Sequence, residues 1–324
     1  MKTPTQHFLQ MRPQGAYAQI DDLLRLRFSS RDLLLSAKRP ATSLLAGGKR
    51  TRFRGRGIDF EEVRLYQAGD DIRSIDWRVT ARTQVTHTKL FSEERERPIF
   101  IACDLRSPMF FGTKQCFKSV LASHLATSLG WAALSGSDRV GGLVFGDSDH
   151  RDIRPKRSKH ALLEFIHQLH SYGHKLNKPF ATNGTNSLLN ILKNSRRHAK
   201  PGSAVFIISD FHDFNNDCER QLFQLSRHSD VTLFHIGDPM EKSLPAASGM
   251  NVTDGVSKRA LGTLDTGFAK QYRKSAGEHA QYLQHSCQKL GITLAGFSTD
   301  GDPQAQLQEL YGRSRSSTKV QSTI

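Results

Sequence analysis

The chain has 324 residues and a formal net charge of +15, long enough for one large domain or two ordinary ones that bury a core without covalent staples. Its four cysteines, Cys103, Cys116, Cys218 and Cys287, form no CxxC pair, which argues against a disulfide framework or thiolate zinc site and for a reducing compartment. No apolar run nears the roughly 20 residues that cross a bilayer, and the first fifteen residues lack the apolar core of a signal peptide, so no membrane span and a cytoplasmic location are expected.

Residues 1–43 mix leucine with charge, as at Ile20, Leu23, Leu24 and Leu33, Leu34, Leu35, and are expected to form one or two short helices. A boundary follows between Pro40 and Gly48. Over residues 44–98 the texture changes to short stretches carrying Phe53, Phe60, Tyr66, Trp77 and Val79, punctuated by Gly55, Gly57 and Gly69. That pattern predicts a small β-rich module.

Residues 99–310 alternate apolar runs with helical spacing. Strands are expected at Ile99–Cys103, Val140–Phe145, Ala204–Ser209, Val231–Ile236 and Ile292–Phe297. Helices are expected over 117–133, around Leu162–Leu169, at Leu188–Leu192, near Leu222 and Leu225, and from Phe268 to Leu290, with Gly291 as terminator. Such alternation implies a parallel sheet covered by helices on both faces. Ligands of such sheets sit beyond the carboxyl ends of the strands, where Asp104 and Asp210 fall. The Ser, Gly and Thr-rich stretch Ser243–Asp265 reads as a loop or irregular hairpin, and residues 311–324 as a basic tail.

Charge concentrates at the ends. Residues 1–58 carry twelve Lys and Arg against Asp21, Asp22 and Asp32, and the tail adds Arg313, Arg315 and Lys319. A nucleic acid, an acidic protein or an anionic surface would each satisfy that field. Aromatic residues are not interleaved with the basic ones as stacking platforms, so nucleic acid is not the favoured partner.

The most specific segment runs Thr51-Arg52-Phe53-Arg54-Gly55-Arg56-Gly57 through Val63-Arg64-Leu65-Tyr66, then Gly69-Asp70-Asp71-Ile72-Arg73-Ser74-Ile75-Asp76-Trp77-Arg78 and Ala81-Arg82. This series resembles the signature of the bacterial family called domain of unknown function 58, in which it precedes a von Willebrand factor A-like domain. The segment itself suits a tight Gly-Asp-Asp turn whose carboxylates accept backbone N–H groups. It reads either as a structural ion-pair network of Asp70, Asp71 and Asp76 with Arg64, Arg73 and Arg78, or as a partner-binding surface that includes Trp77 and leaves Arg54 and Arg56 as exposed charge.

The resemblance also implies a metal-ion-dependent adhesion site, in which Asp-x-Ser-x-Ser, a Thr and a second Asp hold Mg²⁺ through hard oxygen donors. Here Asp104, Thr185 and Asp210 match. Arg106 and Pro108 replace the two serines, and Ser107 is one position out of phase. The site is therefore expected to be degenerate and to hold no cofactor. Arg106 either points to solvent or folds inward, pairing with Asp104 and Asp210 in place of the cation.

Other chemistry finds less support. Gly47-Gly48-Lys49-Arg50-Thr51 lacks the first glycine and the Ser/Thr of a P-loop, and no GxSxG elbow occurs. Asp210, His212 and Asp213 outline a hydrolase-like centre and His167, His170 and His174 share a helical face, each without a convincing further ligand. The expected role, implied by the resemblance, is a non-catalytic adaptor working with a MoxR-type AAA+ ATPase or other A-domain proteins in protein remodelling or maturation. A basic nucleic-acid-associated protein and a metal-dependent hydrolase centred on Asp104, Asp210 and His212 are the alternatives.

Overall fold

A computed structural model of the chain describes residues 12–35, 58–67, 70–93, 98–177, 186–242, 251–253, 258–260 and 266–312. Two compact units divide it, Met1–Ala37 with Arg97–Ile324, and Lys38–Glu96. In chain order the elements are α1 (Ile20–Ser29), then β1 (Ile58–Leu65), α2 (Trp77–Thr83) and β2 (His87–Glu93) of the smaller unit. The larger unit continues with β3 (Pro98–Asp104), α3 (Lys118–Ser135), β4 (Arg139–Phe145), β5 (His150–Lys156), α4 (Lys159–Gly173), α5 (Leu188–His198), β6 (Ala204–Ser209) and α6 (Asn216–Ser226). It ends with β7 (Asp230–Gly237), α7 (Pro239–Lys242), the short pair β8 (Asn251–Thr253) and β9 (Lys258–Ala260), α8 (Thr266–Leu290), β10 (Thr293–Ser298) and α9 (Pro303–Tyr311).

Six strands form one sheet in the order β10-β7-β6-β3-β4-β5. Every neighbouring pair is parallel except β4 with β5. This is the helix-covered, doubly wound α/β sheet expected of a von Willebrand factor A-like fold. Side chains alternate across it with the period of two that a strand imposes. Ile99, Ile101, Cys103, Phe206 and Ile208 enter one core, whereas Phe100, Ala102, Val205 and Ile207 enter the core on the other face.

Local chemistry explains the boundaries. Gly291 ends α8 with a φ of 64°, a conformation glycine adopts without a Cβ penalty. Gly142 lets β4 pass beneath helix α4, because a Cβ there would lie 2.6 Å from the Phe165 ring. Strand β5 carries mostly charged residues and Pro155, with Ile153 its one buried side chain. An edge strand of that composition resists pairing with other chains, and its lack of an apolar run hides it from periodicity.

Helix α3 is buried along nearly its whole length, because the sheet lies on one side and α1 on the other. Leu23 and Leu26 of α1 belong to the same core as Leu121 and Leu125, and the Trp131 indole donates to the Leu23 carbonyl at 3.2 Å. Gly15 exchanges backbone hydrogen bonds with Gln115 and Phe117, and Leu34 N–H donates to the Tyr311 carbonyl. The described part of the N-terminal segment, residues 12–35, is thus built into the α/β unit; the rest of the helical segment expected to reach residue 43 lies outside the described residues.

In the smaller unit β1 and β2 pair antiparallel with an irregularity between Phe60 and Glu62. Trp77 and Val79, expected in strands, lie in α2 instead. The Asp76 carboxylate accepts from the N–H groups of Arg78 and Val79 at 3.0 and 3.2 Å, and this cap outweighs the strand preference of two residues. Helix α2 stops at Gln84, whose φ is 58°.

Candidate functional site

The sheet changes direction at β3. From there the chain steps to β4 on one side, while β6, β7 and β10 extend the other, so the crevice of this fold opens beyond the ends of β3 and β6. Asp104 ends β3, and Asp210 follows the last residue of β6.

Arg106 turns into that crevice. Its backbone N–H donates to Asp104 Oδ1 at 3.1 Å, which folds the chain back so that the side chain meets the same carboxylate. Nε donates to Oδ1 at 2.9 Å and Nη2 to Oδ2 at 2.7 Å. The far edge of the guanidinium meets Asp213, with Nη1 on Oδ2 at 2.9 Å and Nη2 on Oδ1 at 3.1 Å. Nη1 also reaches the Asn186 carbonyl at 3.4 Å, so all five donors of the planar group are spent. Burial alone would lower the Arg106 pKa, but Asp104 and Asp213 override it and hold the cation protonated. Burial would raise Asp213, yet its carboxyl stays below the usual range because of Arg106.

A second ion pair sits alongside. Lys118, the first residue of α3, donates from Nζ to Asp210 Oδ2 at 2.8 Å and to Glu241 Oε1 at 2.6 Å. His212 Nδ1 lies 2.9 Å from Asp210 Oδ1. Desolvation opposes each of these charges, and the contacts reverse it: Lys118 and His212 shift up, Asp210 down. The partner expected for Arg106 is therefore corrected. It grips Asp213 with Asp104, because Lys118 and His212 already occupy Asp210.

Of the remaining predicted metal ligands, the described one, Ser107, is engaged elsewhere. Ser107 donates its backbone N–H to Asp147 Oδ1 at 2.9 Å and its hydroxyl to Asp147 Oδ2. Thr185 lies outside the described residues. Asp104 Oδ2 additionally accepts from Ser209 Oγ at 2.7 Å. Mg²⁺ demands an octahedral set of free hard oxygens, and these carboxylates already hold a guanidinium and an ammonium. The donor set does not fit the ion. Among the described residues no group of three or more His, Cys, Asp or Glu is placed to hold a metal. His170 and His174 instead pack ring against ring, tilted by 35° with centroids 4.1 Å apart.

The signature residues of the smaller unit have local roles. Arg64 Nη2 donates to Asp70 Oδ1 at 2.7 Å, and Gln67 N–H to Asp70 Oδ2 at 2.9 Å. Gln67 and then Arg64 hold the Asp70 carboxyl below its ordinary value. Asp71 accepts from Arg73 N–H, as Asp76 caps α2. Arg73 and Arg78 are exposed, and Trp77 keeps 66% of its surface in solvent. Arg54 and Arg56 lie outside the described residues.

Sequence reasoning overlooked Lys118, although a signal existed: it is the one Lys, Arg, Asp or Glu in the eighteen residues of α3. A lone charge in a helix otherwise free of charge calls for a buried counter-ion. Glu241 carried no comparable signal.

The family model described as "Protein of unknown function DUF58" matches residues 62–282. Two curated relatives, uncharacterized protein Rv1480 of Mycobacterium tuberculosis and uncharacterized protein Mb1516 of Mycobacterium bovis, are each 26% identical over 297 residues, covering 90% of both chains. Among solved structures, the conserved hypothetical protein BatB from Bacteroides thetaiotaomicron aligns at 16% identity and a TM-score of 0.39, over 66% of this chain and 97% of that one. A von Willebrand factor type A protein from Catenulispora acidiphila aligns at 16% identity and 0.34, over 69% and 42%.

Proposed function

This chain belongs to the DUF58 family, and from that premise we propose that it is a non-catalytic interaction protein, whose α/β rim and Arg/Gly module dock a MoxR-type AAA+ ATPase or other A-domain proteins during protein remodelling or maturation. One observation carries the reading. Arg106 spends four of its five donors on Asp104 and Asp213 and the fifth on the Asn186 carbonyl, and Lys118 neutralises Asp210. A rim preset in this way offers shape and fixed dipoles in place of an activated water, a nucleophile or an open metal position. The exposed Trp77 beside Arg78 supplies the kind of aromatic and arginine anchor on which interfaces concentrate their energy.

On this reading the protein works in the cytoplasm without a resident metal. Among the described residues no helix is long and apolar enough to cross a membrane. Recovery of the ATPase from native lysate tests the role. Wild-type protein is expected to retain several-fold more ATPase than the double variant Arg54→Glu/Arg56→Glu or than Trp77→Ala. Equal recovery by all three would overturn the proposal.

A further inference from the structure

Beside the ion-paired rim lies a cavity of about 430 Å³. Residues following β6 and β7, among them Asp210, Asp238 and Glu241, form one side, and α8 forms the other. The space exists because of side-chain size. Ala276, Gly277 and Ala280 line the α8 wall, whereas further along the helix Leu283 and Cys287 are buried in the core between helix and sheet. Apart from the backbone of its own helix and its chain neighbours, no atom lies within 4 Å of the point where a Cβ on Gly277 would sit.

The polar groups around the cavity divide into spent and unspent. Asp238 accepts from Thr113 N–H and hydroxyl, Met240 N–H and the Thr299 hydroxyl. Glu241 accepts from Lys118 and from Asp238 N–H, and Asp210 from Lys118 and His212. Every oxygen of these three carboxylates already has a donor. Arg273 and Tyr272 line the same cavity, and neither forms a hydrogen bond to another described residue. Arg273 is exposed and Tyr272 half-buried at the mouth of the cavity, so a guanidinium and a phenol O–H stand beside an apolar wall, open to a ligand that accepts hydrogen bonds.

We infer that this cavity binds a carboxylate carried on a short apolar stem, with Arg273 and Tyr272 holding the head and Ala276, Ala280 and Leu283 the stem. A guanidinium matches the planar, bidentate geometry of a carboxylate. The neighbouring Asp238 and Glu241 favour a singly charged head over a dianionic phosphate ester, since like charges at short range repel in a partly buried site. Two sources supply this chemistry, a free small acid and an acidic side chain of a partner protein.

Titration of the full-length ¹⁵N-labelled chain, followed at the Gly277 and Ala280 amides, tests the inference. The probes are hexanoate, the blocked peptide acetyl-Gly-Glu-Gly-amide, hexylamine and hexyl phosphate. Saturable shifts with hexanoate, the peptide or both are expected. Hexanoate alone assigns the site to a free acid, and the peptide alone to a protein side chain. Arg273→Gln weakens binding about tenfold or more, and Arg220→Gln, a surface change on α6, leaves it unaltered. Absence of saturable shifts with either acid, equal binding of hexylamine, tighter binding of hexyl phosphate, or full affinity in Arg273→Gln would each overturn the inference. No ATPase enters this experiment, so its failure leaves the docking proposal standing, and failed ATPase recovery leaves the cavity standing.

Discussion

Lys118 and Asp210, 92 positions apart in the chain, meet through a 2.8 Å hydrogen bond from Nζ to Oδ2. Both side chains are almost wholly withdrawn from water. Neither charge is tolerable there alone, since removing an ion from water costs several kcal/mol even after relaxation. Each makes the other possible.

Breaking that pair is therefore expected to be costly. Lys118→Met leaves Asp210 buried against His212 alone and should lower stability by about 3–5 kcal/mol. Lys118→Met/Asp210→Asn should recover much of the loss, because the deeply buried carboxylate is gone and Glu241, the other partner of Lys118, is about a third exposed. Urea unfolding at neutral pH measures both. A loss below about 1 kcal/mol in the single variant would mean that Asp210 does not depend on the ammonium.

Arg106→Ser restores the first serine of the family's metal motif and removes the internal cation. The variant should lose about 3–5 kcal/mol without added metal, because Asp104 and Asp213 are left facing each other. Millimolar Mg²⁺ or Mn²⁺ should then raise its melting temperature while leaving wild-type protein unchanged. Calorimetric titration showing tight Mg²⁺ binding to wild type would refute the idea that Arg106 takes the place of the ion.

His124, on α3, is buried with its Nδ1 unpartnered, and burial pushes its pKa down to about 4. An unfolded imidazole titrates near 6.5. Between these values the unfolded state binds a proton that the folded state refuses. Stability is complete above about pH 6.5 and falls as the pH drops toward 4, by roughly 3 kcal/mol. His124→Leu should flatten this dependence in urea melts compared at pH 7 and pH 4.5. An unaltered slope would show that His124 is not the group responsible.

Asp76→Ala removes the cap of α2 and should destabilise that helix by about 1 kcal/mol. Hydrogen exchange at Thr80 and Ala81, whose amides lie within α2, should quicken severalfold while the amides of β3 and β6 keep their protection. Uniform acceleration across both units would contradict a purely local role for the cap.

Much of the architecture could be read before any coordinates. The apolar runs at Ile99–Cys103 and Ala204–Ser209 are long and bounded enough to be strands whatever surrounds them, and α3 and α8 carry helical spacing over many turns. Strand β5 and helix α9 could not be read this way: one is a charged edge, the other a short helix with two buried residues. The Asp76-Trp77-Arg78-Val79 segment misled because its composition favours a strand while its cap favours a helix.

Sequence alone determined that Asp104 and Asp210 stand at the carboxyl ends of strands and that Arg106 interrupts the metal motif, since strand length and motif spacing are local quantities. Tertiary structure decided which cation neutralises which carboxylate. Parallel neighbours in a doubly wound sheet are joined only by long crossovers, so the groups that meet at its edge come from distant segments. Lys118 reaches Asp210, and Arg106 reaches Asp213 across 107 positions. No pattern along the chain encodes those distances, because they arise only when the strands and helices have packed.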